Sequence, residues 1–264
     1  MQLGVSTGSF YGRWDVEQAI PLLGEMGVSR CEVFLSTRSE YQPAFLAMLQ
    51  RRLSRAGLTV TSVHPLGTQF EPQFFSGTIR QKRDAYHIFC EAFAAARALG
   101  AKRYVLHGPA NLKGGALRLN FASLAERADI LAEQAHREGV QLTWENVSWC
   151  YFERPSFASE LLSQLKSPHL GFTFDVKQAV QTGQPLMAYL DAMGERLANV
   201  HICDMDGAGR PCLPGQGEVD FPELARRLRQ MGYTGPVMLE VYGENYRDLA
   251  QLREGFDRMA QVFG

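Results

Sequence analysis

The chain has 264 residues, 45% of them hydrophobic, and a formal net charge of -1. That length suits one large domain, and the near-neutral charge argues against a broad nonspecific surface for nucleic acid or anionic membrane. No apolar run is long enough for a membrane helix, the opening Met-Gln-Leu-Gly-Val-Ser reads as a strand and not a leader, and the five cysteines include no CxxC pair, so a reduced cytoplasmic protein is expected.

Strand and helix patterns alternate along the sequence. Residues 3–6 read as a first strand ended by Thr7-Gly8-Ser9, and 15–26 have helical spacing closed by Gly27. Strand two covers 30–35, and a helix over 43–56 is closed by Gly57. Strand three, 58–64, is broken by Pro65; a loop rich in Gly, Pro and Phe leads to a long helix over 79–99, ended by Gly100. Strand four, 102–107, stops at Gly108-Pro109, and a loop over 111–115 precedes a helix over 121–138, ended by Gly139. Strand five is 140–145, a helix covers 155–165, and strand six is 170–175. A helix over 185–193, strand seven at 197–202, a loop over 204–220, a helix over 222–231, strand eight at 236–241 and a closing helix over 246–262 complete the series. Glycine after a helix suits the left-handed position that ends it. Eight βα units without a linker predict a single α/β domain over 1–264, a (β/α)8 TIM barrel. An open doubly wound sheet would carry a glycine-rich phosphate turn after strand one, and Ser6-Thr7-Gly8-Ser9-Phe10 does not supply GxGxxG.

Four strand-like runs in the second half end in a metal-ligand type: Leu-Thr-Trp-Glu145, Gly-Phe-Thr-Phe-Asp175, Ala-Asn-Val-His201 and Val-Met-Leu-Glu240. Barrel strand ends converge on one face, so these residues would meet there. One such acid alone reads equally as a helix cap. Four at the same end of buried strands need pairing or a cation. Two Glu, one Asp and one His suit one divalent ion: Mn2+, Mg2+, Co2+ or Zn2+.

Around that set stand further candidates. His64 and His107 end strands three and four, as barrel-rim histidines or as contacts to a polyol substrate. Lys177 follows Asp175 and could bind a hydroxyl, carboxylate or phosphate, or reach water on its long stem. Glu32 interrupts strand two, either lining the pocket or anchoring the barrel by pairing with Arg or Lys, and the anchor is favoured because buried acids need such a partner. Arg210, in the loop after strand seven, could clamp a hydroxyl or carboxylate, or be a mobile surface arginine. The aromatic set Phe10, Tyr11, Trp14, Phe70, Phe74, Phe75, Trp149 and Tyr151 could wall a sugar pocket, with some members packing loops onto the barrel. Lys113-Gly114-Gly115 is better explained by turn chemistry than as a phosphate loop.

The pieces Ser62-Val63-His64-Pro65, Leu106-His107-Gly108, Trp144-Glu145-Asn146, Thr173-Phe174-Asp175, Asn199-Val200-His201, Pro214-Gly215-Gln216-Gly217 with Val219-Asp220-Phe221, and Leu239-Glu240 are individually short, but their order on eight βα units is specific. In them the chain resembles the xylose isomerase-like TIM-barrel superfamily of sugar isomerases, ketose 3-epimerases, inosose isomerases and dehydratases, and endonuclease IV-type AP endonucleases. The resemblance implies a divalent metal held by Glu145, Asp175, His201 and Glu240, with Glu145 and Glu240 also the catalytic acid/base pair. Gln178 stands where the epimerase and nuclease branches have histidine, which contacts substrate in the epimerases, so an uncharged substrate contact is expected there. The Asp-x-His of the trinuclear nucleases falls on Gly209-Arg210-Pro211. A single ion and no nucleic-acid substrate are therefore expected.

The function implied is a metal-dependent isomerase or epimerase of carbohydrate metabolism, acting on a small sugar, ketose or inosose through an enediolate. His64, His107, Lys177, Gln178, Arg210 and Trp14 would contact that substrate. A metal-dependent dehydratase of a hydroxy ketone and a noncatalytic sugar-binding barrel are the alternatives. No membrane partner is expected, and homo-oligomer formation is left open.

Overall fold

The computed structural model describes residues 1–111 and 119–264. Its strands are β1 (Gln2–Ser6), β2 (Arg30–Leu35), β3 (Thr59–Pro65), β4 (Arg103–Leu106), β5 (Gln141–Glu145), β6 (Leu170–Asp175), β7 (Leu197–Ile202), a small hairpin of β8 (Asp204–Met205) and β9 (Pro211–Cys212), and β10 (Pro236–Leu239). All but the hairpin pair in parallel, and they close a barrel in the order β1-β10-β7-β6-β5-β4-β3-β2. The expected (β/α)8 barrel is the fold found.

Ten helices surround it among the described residues: α1 (Val16–Glu25), α2 (Pro43–Ala56), α3 (Glu71–Ser76), α4 (Ile79–Ala98), α5 (Phe121–Arg137), α6 (Ser156–Leu162), α7 (Val176–Gln181), α8 (Leu186–Met193), α9 (Phe221–Gln230) and α10 (Leu249–Phe263). Their ends follow local chemistry. Asp15 and Gln18 form a capping box at α1, and Thr78 and Gln81 form one at α4. Gly57 ends α2 with φ of 68°, a left-handed conformation that a side chain would strain. Two elements depart from the expected loops, α3 and the β8–β9 hairpin, and α7 fills a segment to which no element was assigned. None of the ten helices is long and apolar enough to cross a membrane.

Large side chains of the strands point outward and lock the helices on. Trp144, Tyr104 and Phe172 from the strands are fully buried, as are Phe89 and Phe93 of α4 that pack against Tyr104, each worth about 1.5–3 kcal/mol relative to exposure. The inside of the barrel is different. Ser62, Thr143, Thr173 and Asn199 are wholly buried, and each sits two residues before His64, Glu145, Asp175 or His201. Side chains alternate faces along a strand, so these small polar groups form a layer directly beneath the candidate ligands. Thr173 donates to Thr143, which donates to the Tyr104 carbonyl, at 2.8 and 3.1 Å.

Candidate metal centre and active site

The barrel brings the four expected ligands to one point. Glu145 ends β5, Asp175 ends β6, His201 is the penultimate residue of β7, and Glu240 follows β10 directly. Asp175 and His201 are cross-strand partners. His201 Nδ1 lies 2.8 Å from Glu145 Oε1, 3.1 Å from Glu240 Oε2 and 3.9 Å from Asp175 Oδ2. One donor atom from each of the four lies within 4.8 Å of the others, and all four residues are buried.

The donor set fits a divalent ion. The other nitrogen of His201, Nε2, stands 3.0 Å from Glu32 Oε2. Glu32 is fully buried and also accepts from Ser6 Oγ at 3.1 Å and Ser62 Oγ at 2.6 Å. An acid on Nε2–H leaves the Nδ1 lone pair for the acids that face it, the arrangement in which histidine ligates metals. Gly8 keeps room beside the cluster: a Cβ there would lie 2.9 Å from Glu240 Oε1. Asp175 does two things. Its Oδ1 accepts from the Gln178 backbone N–H at 2.8 Å and so caps α7, while Oδ2 turns to the cluster.

The partners of Glu32 differ from expectation. They are His201, His64 at 3.3 Å, the two serine hydroxyls and the Asn199 amide at 3.4 Å, where an arginine or lysine was expected of an anchor; Glu32 lines the cluster, the other reading of it. A carboxylate at that depth is reached by side chains rooted in the barrel wall.

Electrostatics bind the cluster together. Burial pushes the Glu32 carboxyl up, but His201 and His64 outweigh it and hold it at about 2. Burial likewise opposes ionisation of Glu145 and Glu240, and the surrounding histidines hold both well below the usual carboxylate range. Asp175 goes the other way: burial pushes it up to about 6, with Lys177 offsetting only part. Burial would lower His64 and His201, yet the acids outweigh it, raising His64 to about 10 and His201 well above its usual range. Protons on histidine therefore balance the acids, and a divalent ion at His201 Nδ1 would displace one of them.

His64 and His107 meet over the rim of the cluster. Their Nε2 atoms are 2.8 Å apart, and His107 Nε2 is 3.0 Å from Glu145 Oε2. Lys177 is buried, with Nζ 3.7 Å from Asp175 Oδ2 and 4.4 Å from the Tyr242 ring centroid; the strand-end lysine reaching water is not what the fold builds, because α7 starts at once and turns the side chain inward. Gln178 accepts from Ser148 N and Oγ at 2.9 and 2.8 Å. Trp14 lines a cavity of about 340 Å³ with Tyr11, Phe34, Ser36 and Glu40; none of the four ligands lines it, and Phe34 is its link to the site, with ring centroid 5.5 Å from that of His64. Arg210 is exposed on the β8–β9 hairpin, where it pairs with Asp206 at 2.8 Å. Of the aromatic set, Phe10, Phe70, Phe74 and Phe75 are buried packing residues, whereas Tyr11 and Trp149 stay exposed. Lys113, Gly114 and Gly115 lie outside the described residues.

Two features were not expected. Ser6, Ser62 and Asn199 support the cluster from below, and the polar residue two places before each ligand is the signal that could have found Ser62 and Asn199. Glu71, at the start of α3, is fully buried behind the site and accepts from the His107 and Gly108 backbone N–H groups at 3.0 and 2.9 Å. Burial pushes its carboxyl up to about 7.

A closed parallel barrel with a buried carboxylate–histidine cluster at the carboxyl ends of its strands defines a class of metal-capable barrels. The family model described as xylose isomerase-like TIM barrel matches residues 21–262, and the chain belongs to that family. Fructoselysine 3-epimerase of Escherichia coli O157:H7 is 31% identical over 125 residues, 46% of this chain and 46% of that protein; the chain thus spans about half the length of this curated relative. Among solved structures, D-psicose 3-epimerase with D-tagatose from Clostridium cellulolyticum H10 superposes with a TM-score of 0.83 at 16% identity, over 100% of this chain and 99% of the other. The 3-keto-D-glucoside 4-epimerase of E. coli does so with a TM-score of 0.78 at 18% identity, over 99% of each.

Proposed function

We propose that this protein is a divalent-metal-dependent isomerase or epimerase acting on a small sugar, a ketose or inosose, by proton transfer through an enediolate. One observation carries the reading: Glu145 Oε1 and Glu240 Oε2 approach the same His201 nitrogen, at 2.8 and 3.1 Å, from β5 and β10, the two ends of a four-strand arc. Two carboxylates so placed flank anything bound at the centre of the mouth. The epimerase names of the relatives support the same reaction class.

A divalent ion held by Glu145, Asp175, His201 and Glu240 would supply Lewis acidity, making the C–H beside a ketose carbonyl acidic. Glu145 and Glu240 would take and return that proton from opposite sides. Asp175 and His201 would chiefly hold the ion, and Glu32 would orient His201. His64 and His107 would donate hydrogen bonds to substrate oxygens, and Gln178 and Trp14 would bound the sugar. Arg210 would reach substrate only by leaving Asp206.

The test is a screen of ketoses and inososes in deuterated water with added Mn2+, Mg2+ or Co2+. Isomerisation with solvent deuterium entering the carbon next to the carbonyl is expected. Tight sugar binding without exchange would leave a noncatalytic barrel, and an enone absorbance would indicate a dehydratase.

A further inference from the structure

The proton-transfer chemistry gives Lys177 no task. Its side chain is 5% exposed, and its ammonium is 3.7 Å from Asp175 Oδ2, outside hydrogen-bond range, above the ring of Tyr242. An ammonium carries three donors and no acceptor. Stripping it of water is costly unless something accepts from it.

Its neighbour sharpens the point. A backbone N–H can only donate, so the Gln178 atom 2.9 Å from Ser148 N is the amide oxygen. The Ser148 hydroxyl donates to that oxygen too. The amide NH2 therefore faces the other way, again as a donor only. A histidine at 178 could either give or take a proton; this tethered amide cannot. The Gln178 amide thus only donates, from the side of α7 that faces Ser148, and Lys177, beside Asp175, is a site that only donates. A sugar hydroxyl, which both gives and accepts, is poorly matched to it. A carboxylate, acceptor-only and anionic, matches it in both respects.

We propose that the substrate is an acidic sugar, a ketose bearing a carboxylate, which docks that group on Lys177. The inference rests on the sugar-isomerase reading and narrows its substrate class. The competing role for Lys177 is a counter-charge for Asp175. That role alters metal affinity but gives no preference between neutral and acidic ligands.

The test is calorimetric titration of the full chain loaded with Mn2+. Three ligands share one skeleton: D-fructose, 2-keto-D-gluconate with a carboxylate at C1, and D-fructuronate with one at C6. At least one acid should bind about tenfold or more tightly than fructose, the size of one charge-assisted hydrogen bond. In Lys177→Met the acid-to-neutral ratio should collapse towards one, and Lys177→Arg should retain it; Mn2+ content and melting temperature report whether each variant is folded. Acids binding no tighter than fructose would overturn the proposal alone. So would a preference that survives in Lys177→Met, since the carboxylate would then sit on the metal. Failure to bind any of the three ligands would overturn the proposal alone, whereas a lack of exchange with every sugar in the deuterium screen would remove the sugar reading and this proposal with it.

Discussion

His201 Nε2 lies 3.0 Å from the Glu32 carboxylate, and that contact decides which ring nitrogen faces the acids. Glu32 comes from β2 and His201 from β7, with β1 and β10 between them in the barrel wall. With Nε2 committed to Glu32, Nδ1 is the nitrogen left for a metal. Glu32→Gln keeps the shape but loses the charge, so metal affinity should fall about 10- to 100-fold, the usual effect of removing such a partner. Titration with Mn2+ measures it. An unchanged affinity would mean that the barrel wall alone orients His201.

Glu145 and Glu240 should separate from Asp175 in kinetics. Glu→Gln at 145 or 240 keeps a coordinating oxygen but removes the base. On a proven substrate kcat should drop by about two to four decades. Asp175→Asn should weaken the metal chiefly, with partial rescue by excess ion. If excess metal fully restored both glutamine variants, they would be ligands only, and the base would lie elsewhere.

Metal binding should release protons. The acids hold His201 protonated well above its ordinary range, so an ion at Nδ1 must displace that proton. Affinity should therefore rise with pH between about pH 6 and pH 8, with about one proton released per ion. Elemental analysis should find one ion per chain, because Gln178, Gly209 and Pro211 offer no further anionic or imidazole ligands. Close to three zinc ions would contradict the single site.

Glu71 should make stability depend on pH in the opposite sense to most acids. Burial raises its carboxyl from 4.5 to about 7, so the folded chain binds more protons than the unfolded chain in that window. Stability is then full below 4.5 and is lost as pH climbs to about 7, by up to about 3 kcal/mol. Glu71→Gln can still accept from the His107 and Gly108 N–H groups but does not ionise. Its melting temperature should gain on that of the unsubstituted protein between about pH 5 and pH 8. Parallel pH profiles for the two proteins would sink the assignment.

The barrel was legible because most strands are apolar runs stopped by glycine, proline or an acid, and nearly every helix is closed by glycine. The ligand ring was legible because Glu145, Asp175, His201 and Glu240 are polar where a buried parallel strand should not be. What escaped is what periodicity does not carry. The β8–β9 hairpin is two residues on each side, too short to alternate. Helix α3 hid in a stretch read as loop, although Pro72 near its start is a helix-opening signal. The Glu32–His201 pair joins residues 169 positions apart, and nothing local to either predicts the other. Lys177 was open to two readings, because stem length permits an escape to water that an immediate helical turn forbids.

The barrel closes only when β10 zips between β7 and β1, and Glu240 arrives just beyond that last strand. Of the four ligands it is the last to leave the ribosome. Cradle assembly and barrel closure are therefore one event. A nascent chain stalled before β10 would offer three donors around an open seam, and tight capture of a metal ion would report that the final strand has docked.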